Sequence, residues 1–296
     1  MIVAPHPRSA TRHGIRGAFR LDSAALVVTL AGALTGVLTG CANGDAPAAP
    51  AHARLNDTSR LADVVPPAEV VIARPSSRYQ ADPGASGGAI TGTVTAPSSI
   101  TAGPPAATGR DSAVCGPSVA DESVVRQGNG LGGAVVWLDD IRRGRPLPLE
   151  RRMELESDKC RLTPRVQGAV VGSAVNVLGH ESFRQHLRFL AGGEREPRAS
   201  VLLGDYEQVI PTERPFTAPG LVVVKDADHP WVAAYLAVFD HPYFAITAPD
   251  GTFKIDGVPP GHYTLRVWHE RTMPVQQQVD VSATAAATVT ITLRAR

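Results

Sequence analysis

From Gly87 onward the apolar positions come in short runs rich in β-branched residues, and each run is closed by Gly, Pro, Asp or Asn. That punctuation predicts β-strands. Among them are Ala89–Thr95, Ala134–Leu138, Met153–Glu156, His186–Leu190, Leu221–Val224, Ala233–Phe239 and Val275–Val281. Alternation places Tyr263, Leu265 and Val267 on one face of another, and Glu154 with Glu156 on a solvated face. No long stripe of helical period occurs; one short helix is expected between Gly204 and Ile210. The fold class is therefore all-β. The roughly 210 residues from Gly87 fit one large or two small β-sandwiches.

The first forty residues read differently. Arg8, Arg12, Arg16 and Arg20 precede an apolar run from Ser23 to Gly40. The run barely reaches the ~20 residues of a spanning helix and carries helix-weakening Gly and Thr. It is read as a signal peptide. Its end, Leu38-Thr39-Gly40-Cys41, resembles a bacterial lipobox. That resemblance implies cleavage before Cys41, lipidation of Cys41 and a lipid anchor at the cell envelope, on the outer membrane or a periplasmic face. Each buried methylene of such an anchor contributes about 0.8 kcal/mol. Residues 41–86, rich in Ala and Pro, are expected to be a disordered tether.

The chain has 29 basic and 28 acidic residues; residues 1–40 hold four Arg and one Asp, so 25 and 27 remain, a net of −2. No basic stripe is left, which argues against nucleic-acid binding. In an oxidising envelope compartment the two other cysteines, Cys115 and Cys160, are expected to form a disulfide. Their spacing does not match a zinc or Cys-x-x-Cys redox motif. Motifs of hydrolases, zinc proteases and phosphate-binding loops are missing, so the chain is not expected to be an enzyme. Gly128–Gly133 precedes a strand and reads as a hairpin or bulge loop.

Two motifs carry a family resemblance. The stretch Asp250-Gly-Thr-Phe-Lys-Ile255 followed by Val258-Pro-Pro-Gly-His-Tyr-Thr-Leu265 resembles the carboxypeptidase regulatory-like module, a transthyretin-like sandwich with a carbohydrate-binding-like fold. Asp250-Gly251 supplies the positive-φ turn of a tight hairpin. The module's opening phrases resemble Ile90-Thr-Gly-Thr-Val94 and Gly133-Ala-Val-Val-Trp-Leu138, far upstream. This implies a split sandwich made of residues 87–140 and 241–296, with residues 141–240 inserted between its parts; exposed loops tolerate such insertions.

The inserted part resembles cupredoxins of envelope proteins fused to such a sandwich. It carries Cys160-Arg-Leu-Thr-Pro164-Arg-Val166, then Gly172-Ser-Ala-Val-Asn176, then Asp226-Ala-Asp-His229-Pro-Trp-Val232. The family's ligand loop has Cys, His and Met three apart; here that frame holds Asp226, His229 and Val232. Blue copper needs a thiolate, two imidazoles and a weak axial thioether. Blue-copper activity is therefore expected to be lost and no cofactor is expected. The alternative is a modified Zn or Cu(II) site of His186, His229 and Asp226, with His180 as a fourth ligand. The plainer reading makes the histidines remnants that cap loop backbone groups. His241, His262 and His269 are expected to serve domain-interface hydrogen bonds.

Two functions follow. The first is a non-catalytic envelope module that binds another envelope protein or a glycan. Only 5% of residues are aromatic, and Trp137, Trp231 and Trp268 are expected in or near cores, which favours protein over glycan. The second is a metal-handling or electron-transfer protein with the His/His/Asp site.

Overall fold

The computed structural model describes residues 79–192, 194, 196–212 and 216–296. The expected signal peptide, Cys41 and the tether up to residue 78 lie outside the described residues. Among those described, no helix is long and apolar enough to cross a membrane.

The longer strands of the first part are β1 (Gly88–Thr95), β2 (Val125–Gln127), β3 (Gly130–Gly132) and β4 (Val135–Leu138). The middle part contributes β5 (Arg152–Asp158), β6 (Arg161–Thr163), β7 (Val166–Val170), β8 (Ala174–Gly179) and β9 (Gln185–Ala191). It continues with β10 (Ala199–Leu203), β11 (Gln208–Pro211), β12 (Gly220–Asp226) and β13 (Ala233–Phe239). The last part adds β14 (Phe244–Ile246), β15 (Thr252–Val258), β16 (Gly261–Trp268), β17 (Val275–Val281) and β18 (Ala287–Thr292).

The first and last parts share two sheets. β1 lies between β15, antiparallel, and β18, parallel, so that Ile90 faces Ile255 on one side and Ala287 on the other. The hairpin β2–β3 extends that sheet at the end of β1. The facing sheet has the order β14-β4-β16-β17. The middle strands pair among themselves, as β6-β5-β8-β11 and as β7-β13-β12-β9-β10.

Alternation along the strands explains how these four sheets stack. In β4, Val136 and Leu138 enter the core of the outer sandwich, while Val135 and Trp137 face the other way. In β12, Val222 and Val224 enter the middle core while Leu221 and Val223 face out of it. β13 does the same with Ala234, Leu236 and Val238 against Tyr235, Ala237 and Phe239. The outward sets meet, with Trp268, in a third apolar core that joins the two sandwiches. β4 and β13 are buried along their whole length. Strands covered on both faces read as continuous apolar runs. β5, covered on one face, alternates: Met153 and Leu155 are buried, Glu154 and Glu156 exposed. Burying each large side chain contributes about 1.5–3 kcal/mol, so this apolar joint opposes separation of the sandwiches.

Three expectations differ from the structure. The segment expected as a helix before Ile210 ends in β11, where Ile210 pairs with Val177 of β8. β-branched Val209 and Ile210 favour extended backbone, and Pro211 is tolerated because β11 is an edge strand. Asp250-Gly251 does not close a hairpin: β14 and β15 lie in different sheets, so the turn is a corner between them. Gly251 has φ +81°, and a Cβ there would sit 2.1 Å from the carbonyl oxygen of Val94. The expected tether is held before residue 86. Gln80–Ala81 pairs with Arg143–Gly144, and the hydroxyl of Tyr79 donates to the carbonyl of Arg145 at 2.5 Å.

Candidate functional site

The loop that follows β12 is set by its first residue. One carboxylate oxygen of Asp226 accepts the N–H of Asp228 at 2.9 Å, a short Asx turn. The N–H of Ala227 donates to the carbonyl of His186, and that of Val232 to the carbonyl of His229. These bonds fold His229 back under the strand end, where its side chain is 3% exposed. Phe183 and Trp231 flank its ring at 4.7 and 5.4 Å between centroids.

Both imidazole nitrogens face carboxylates. Nδ1 lies 2.9 Å from Oδ2 of Asp226, too far off line to count as a hydrogen bond, and Nε2 lies 3.3 Å from Oδ2 of Asp111. Asp111 ends the helical turn Gly109–Asp111, which runs into the turn Ser112–Cys115. Cys115 is bonded to Cys160 with a Cα–Cα separation of 5.7 Å, within disulfide range. Cys160 lies in the β5–β6 connection, and its N–H donates to the buried carboxylate of Glu181. Burial raises the pKa of Glu181; this hydrogen bond and the nearby His229 act against that rise. The disulfide and the Asp111–His229 contact thus fasten the long segment between β1 and β2 onto the middle sandwich.

The site differs from the His186–His229–Asp226 set in its second imidazole. Asp226 pairs with Leu187 across the β9–β12 ladder. Leu187 and Phe189 face the middle core, so Asp226 shares their face and His186, one residue away, points to the other. The structure brings Asp226 and His229 together and leaves His186 half-buried on the opposite face of the sheet. His180 lies apart, 3.3 Å from both Glu156 and Glu207. Among the described residues, no group of three or more His, Cys, Asp or Glu side chains is placed to hold a metal ion. The donors do not fit blue copper: the thiolate position is a carboxylate, and Val232 is fully buried in the middle core. Asp111 and Glu181 were not legible as site residues. Their nearest sequence signal was Cys115, four positions after Asp111, with its partner Cys160 bonded to Glu181.

The other histidines divide. Nδ1 of His241 accepts the N–H of Tyr243, and Nδ1 of His269 accepts the N–H of Arg271, each two residues ahead. Burial lowers the pKa of His241 to about 4, against the pull of Asp240. Burial, then the charges of Arg165 and Arg271, lowers that of His269 to about 4. Both rings are neutral acceptors in local turns. His262 is exposed and pairs with Asp280.

The family model of the carboxypeptidase regulatory-like domain matches residues 220–294. That span takes in β12 and β13 of the middle sheet as well as β14–β18; β1 and β4, which pair with the latter, lie outside it. No curated protein matches the sequence. Several solved structures overlap part of the chain. The copper-containing nitrite reductase of Thermus scotoductus SA-01 overlaps 34% of this chain at 20% identity and a TM-score of 0.27, and the chain covers 24% of that enzyme's length. Amicyanin from Paracoccus versutus overlaps 31% of this chain and 84% of its own, with 13% identity and a TM-score of 0.26. A purple cupredoxin from Nitrosopumilus maritimus overlaps 29% and 98%, with 14% identity and a TM-score of 0.25.

Proposed function

We propose that this chain is a non-catalytic, lipid-anchored protein of the bacterial cell envelope. Its two sandwiches form a rigid module that binds another envelope protein or a glycan, and its cupredoxin-like half has lost blue-copper activity. One observation carries the reading: His229, the single residue of the Cys-His-Met frame that is present, is held between Asp226 and Asp111. An imidazole with a carboxylate facing each nitrogen is placed as a strut between the two loops, and a metal at either nitrogen would have to displace one of them. The anchor rests on the Arg-rich leader and on Leu38–Cys41. Its membrane partner is the bilayer that takes the lipid.

Titration of the purified protein with Cu(II), followed by absorption spectroscopy, tests the loss of the copper site. The protein is expected to stay colourless; an intense thiolate-to-copper band refutes the reading. Intact-mass analysis tests the anchor, with cleavage before Cys41 and an acylated Cys41 as the expected result. A pull-down from solubilised membranes, with wild type against Cys41→Ala, then identifies the partner.

A further inference from the structure

The joint between the sandwiches has an opening at one end. A cavity of about 270 Å³ lies there, roofed by the segment that leads to β2 and floored by residues of both sandwiches. Pro104, Val119, Leu162 and Pro230 give it an apolar side. The opposite side is made of donors. Trp268, 1% exposed, lines the cavity, and its indole N–H has no hydrogen-bond partner in the protein. The same holds for Nε of Arg161 and the indole nitrogen of Trp231.

Acceptors in this cavity are already engaged. Glu270 is held by Arg165, Glu122 by Arg161 at 2.7 Å, and Asp121 by the N–H groups of Gly103 and Ser123. Two further guanidinium groups, of Arg271 and Arg296, line the wall and are not paired with a carboxylate side chain; each bonds a backbone carbonyl. Buried donors without partners are costly, so a ligand rich in acceptors gains most here. A guanidinium fork matches a planar carboxylate. The apolar side selects a ligand that carries hydrocarbon as well as charge.

We propose that this cavity binds a small organic carboxylate with a compact apolar body. The assignment rests on the reading of the chain as a binding module and gives that module a ligand class.

The test uses benzoate as the probe, benzamide as its uncharged counterpart and inorganic phosphate as an anion without an apolar body. Two of the chain's three tryptophans line the cavity, so intrinsic fluorescence reports occupancy alongside calorimetry. Benzoate is expected to bind saturably, with benzamide and phosphate at least about tenfold weaker. Arg271→Gln and Arg296→Gln change exposed side chains and are expected to leave the melting transition in place. Together they are expected to weaken benzoate about tenfold or more. Three results overturn the proposal: no saturable benzoate signal from the folded wild type, phosphate binding as well as benzoate, or benzoate binding that ignores both arginine changes. A folded, colourless protein that ignores benzoate rejects the cavity and leaves the lost-copper reading standing. A copper-coloured protein that binds benzoate does the reverse.

Discussion

Arg165 holds Glu270 through two hydrogen bonds, 2.6 Å from Nε and 2.8 Å from Nη2, and the pair spans the joint between the sandwiches. Arg165 precedes β7 of the middle sheet and Glu270 follows β16 of the outer one. The guanidinium also lies 5.8 Å from the centre of the Tyr235 ring. Burial disfavours its charge, but the bond and charge of Glu270 outweigh that and hold its pKa above the usual range. Glu270 is 9% exposed and Arg165 23%, so removal of one partner strands a mostly desolvated charge. Glu270→Gln is expected to cost about 2–4 kcal/mol, below the full value for a buried pair because Arg165 keeps some water. Urea denaturation measures it; a loss under about 0.5 kcal/mol places the pair with ordinary surface ion pairs.

His241 and His269 make stability fall in mild acid. Both have folded pKa values lowered from 6.5 to about 4, by burial first. As pH falls through 6.5 the unfolded chain takes up protons while the folded rings stay neutral, so acid favours unfolding. The stability they contribute is complete above pH 6.5 and is lost as pH falls from there to about 4. For His269 the loss is on the order of 3 kcal/mol. Protonation also removes the Nδ1 acceptor that each ring offers to a backbone N–H. Melting temperatures measured across this window are expected to drop, and His269→Gln is expected to flatten the slope. A profile that does not change between the two pH values contradicts the buried, neutral assignment.

The strands were legible where the chain repeats one kind of environment. Ala233–Phe239 is apolar throughout because both faces are covered, and Arg152–Asp158 alternates because one is. β2 and β3 were not read, since Gly130 and Gly132 are poor strand formers and their place is set by packing: a Cβ on Gly130 would lie 1.9 Å from the carbonyl of Asp250. In the site, the three-residue spacing gave the Asp226–His229 contact. It could not give Asp111, which reaches His229 only through a long-range crossing, nor the face of His186. A one-residue change of register reverses every side chain of a strand, and register is a property of the paired ladder.

The Cys115–Cys160 bond spans a sequence separation of 45 residues. In the chain-entropy account such a loop contributes about 4 kcal/mol through the unfolded state. Asp111–His229 and Glu181–Cys160 sit beside it, so loss of the bond also loosens the neighbouring contacts. Cys115→Ser with Cys160→Ser is expected to lower stability by about 3–5 kcal/mol while far-UV circular dichroism stays that of a β protein. Equal stability of the reduced and oxidised forms in urea would mean that the helical turn is held without the bond.

The last prediction concerns a restored ligand frame. Asp226→Cys with Val232→Met rebuilds the Cys-His-Met spacing around His229 and puts a thiolate and a thioether where a blue site has them. The pair is expected to give no intense visible band with Cu(II). Two geometric reasons stand in the way. His186 points from the opposite face of the β9–β12 ladder, so the second imidazole is missing. Nε2 of His229 faces Asp111, which would have to yield before a metal could bind there. The double variant also removes the Asx turn at Asp228 and overfills a fully buried position, so it is expected to be less stable by about 2–4 kcal/mol. Absorption and thermal melting are measured on the same sample, with single Asp226→Cys as the reference. An intense band from a folded double variant would place His186 within reach of the new sulfur and overturn the face assignment made from the strand register.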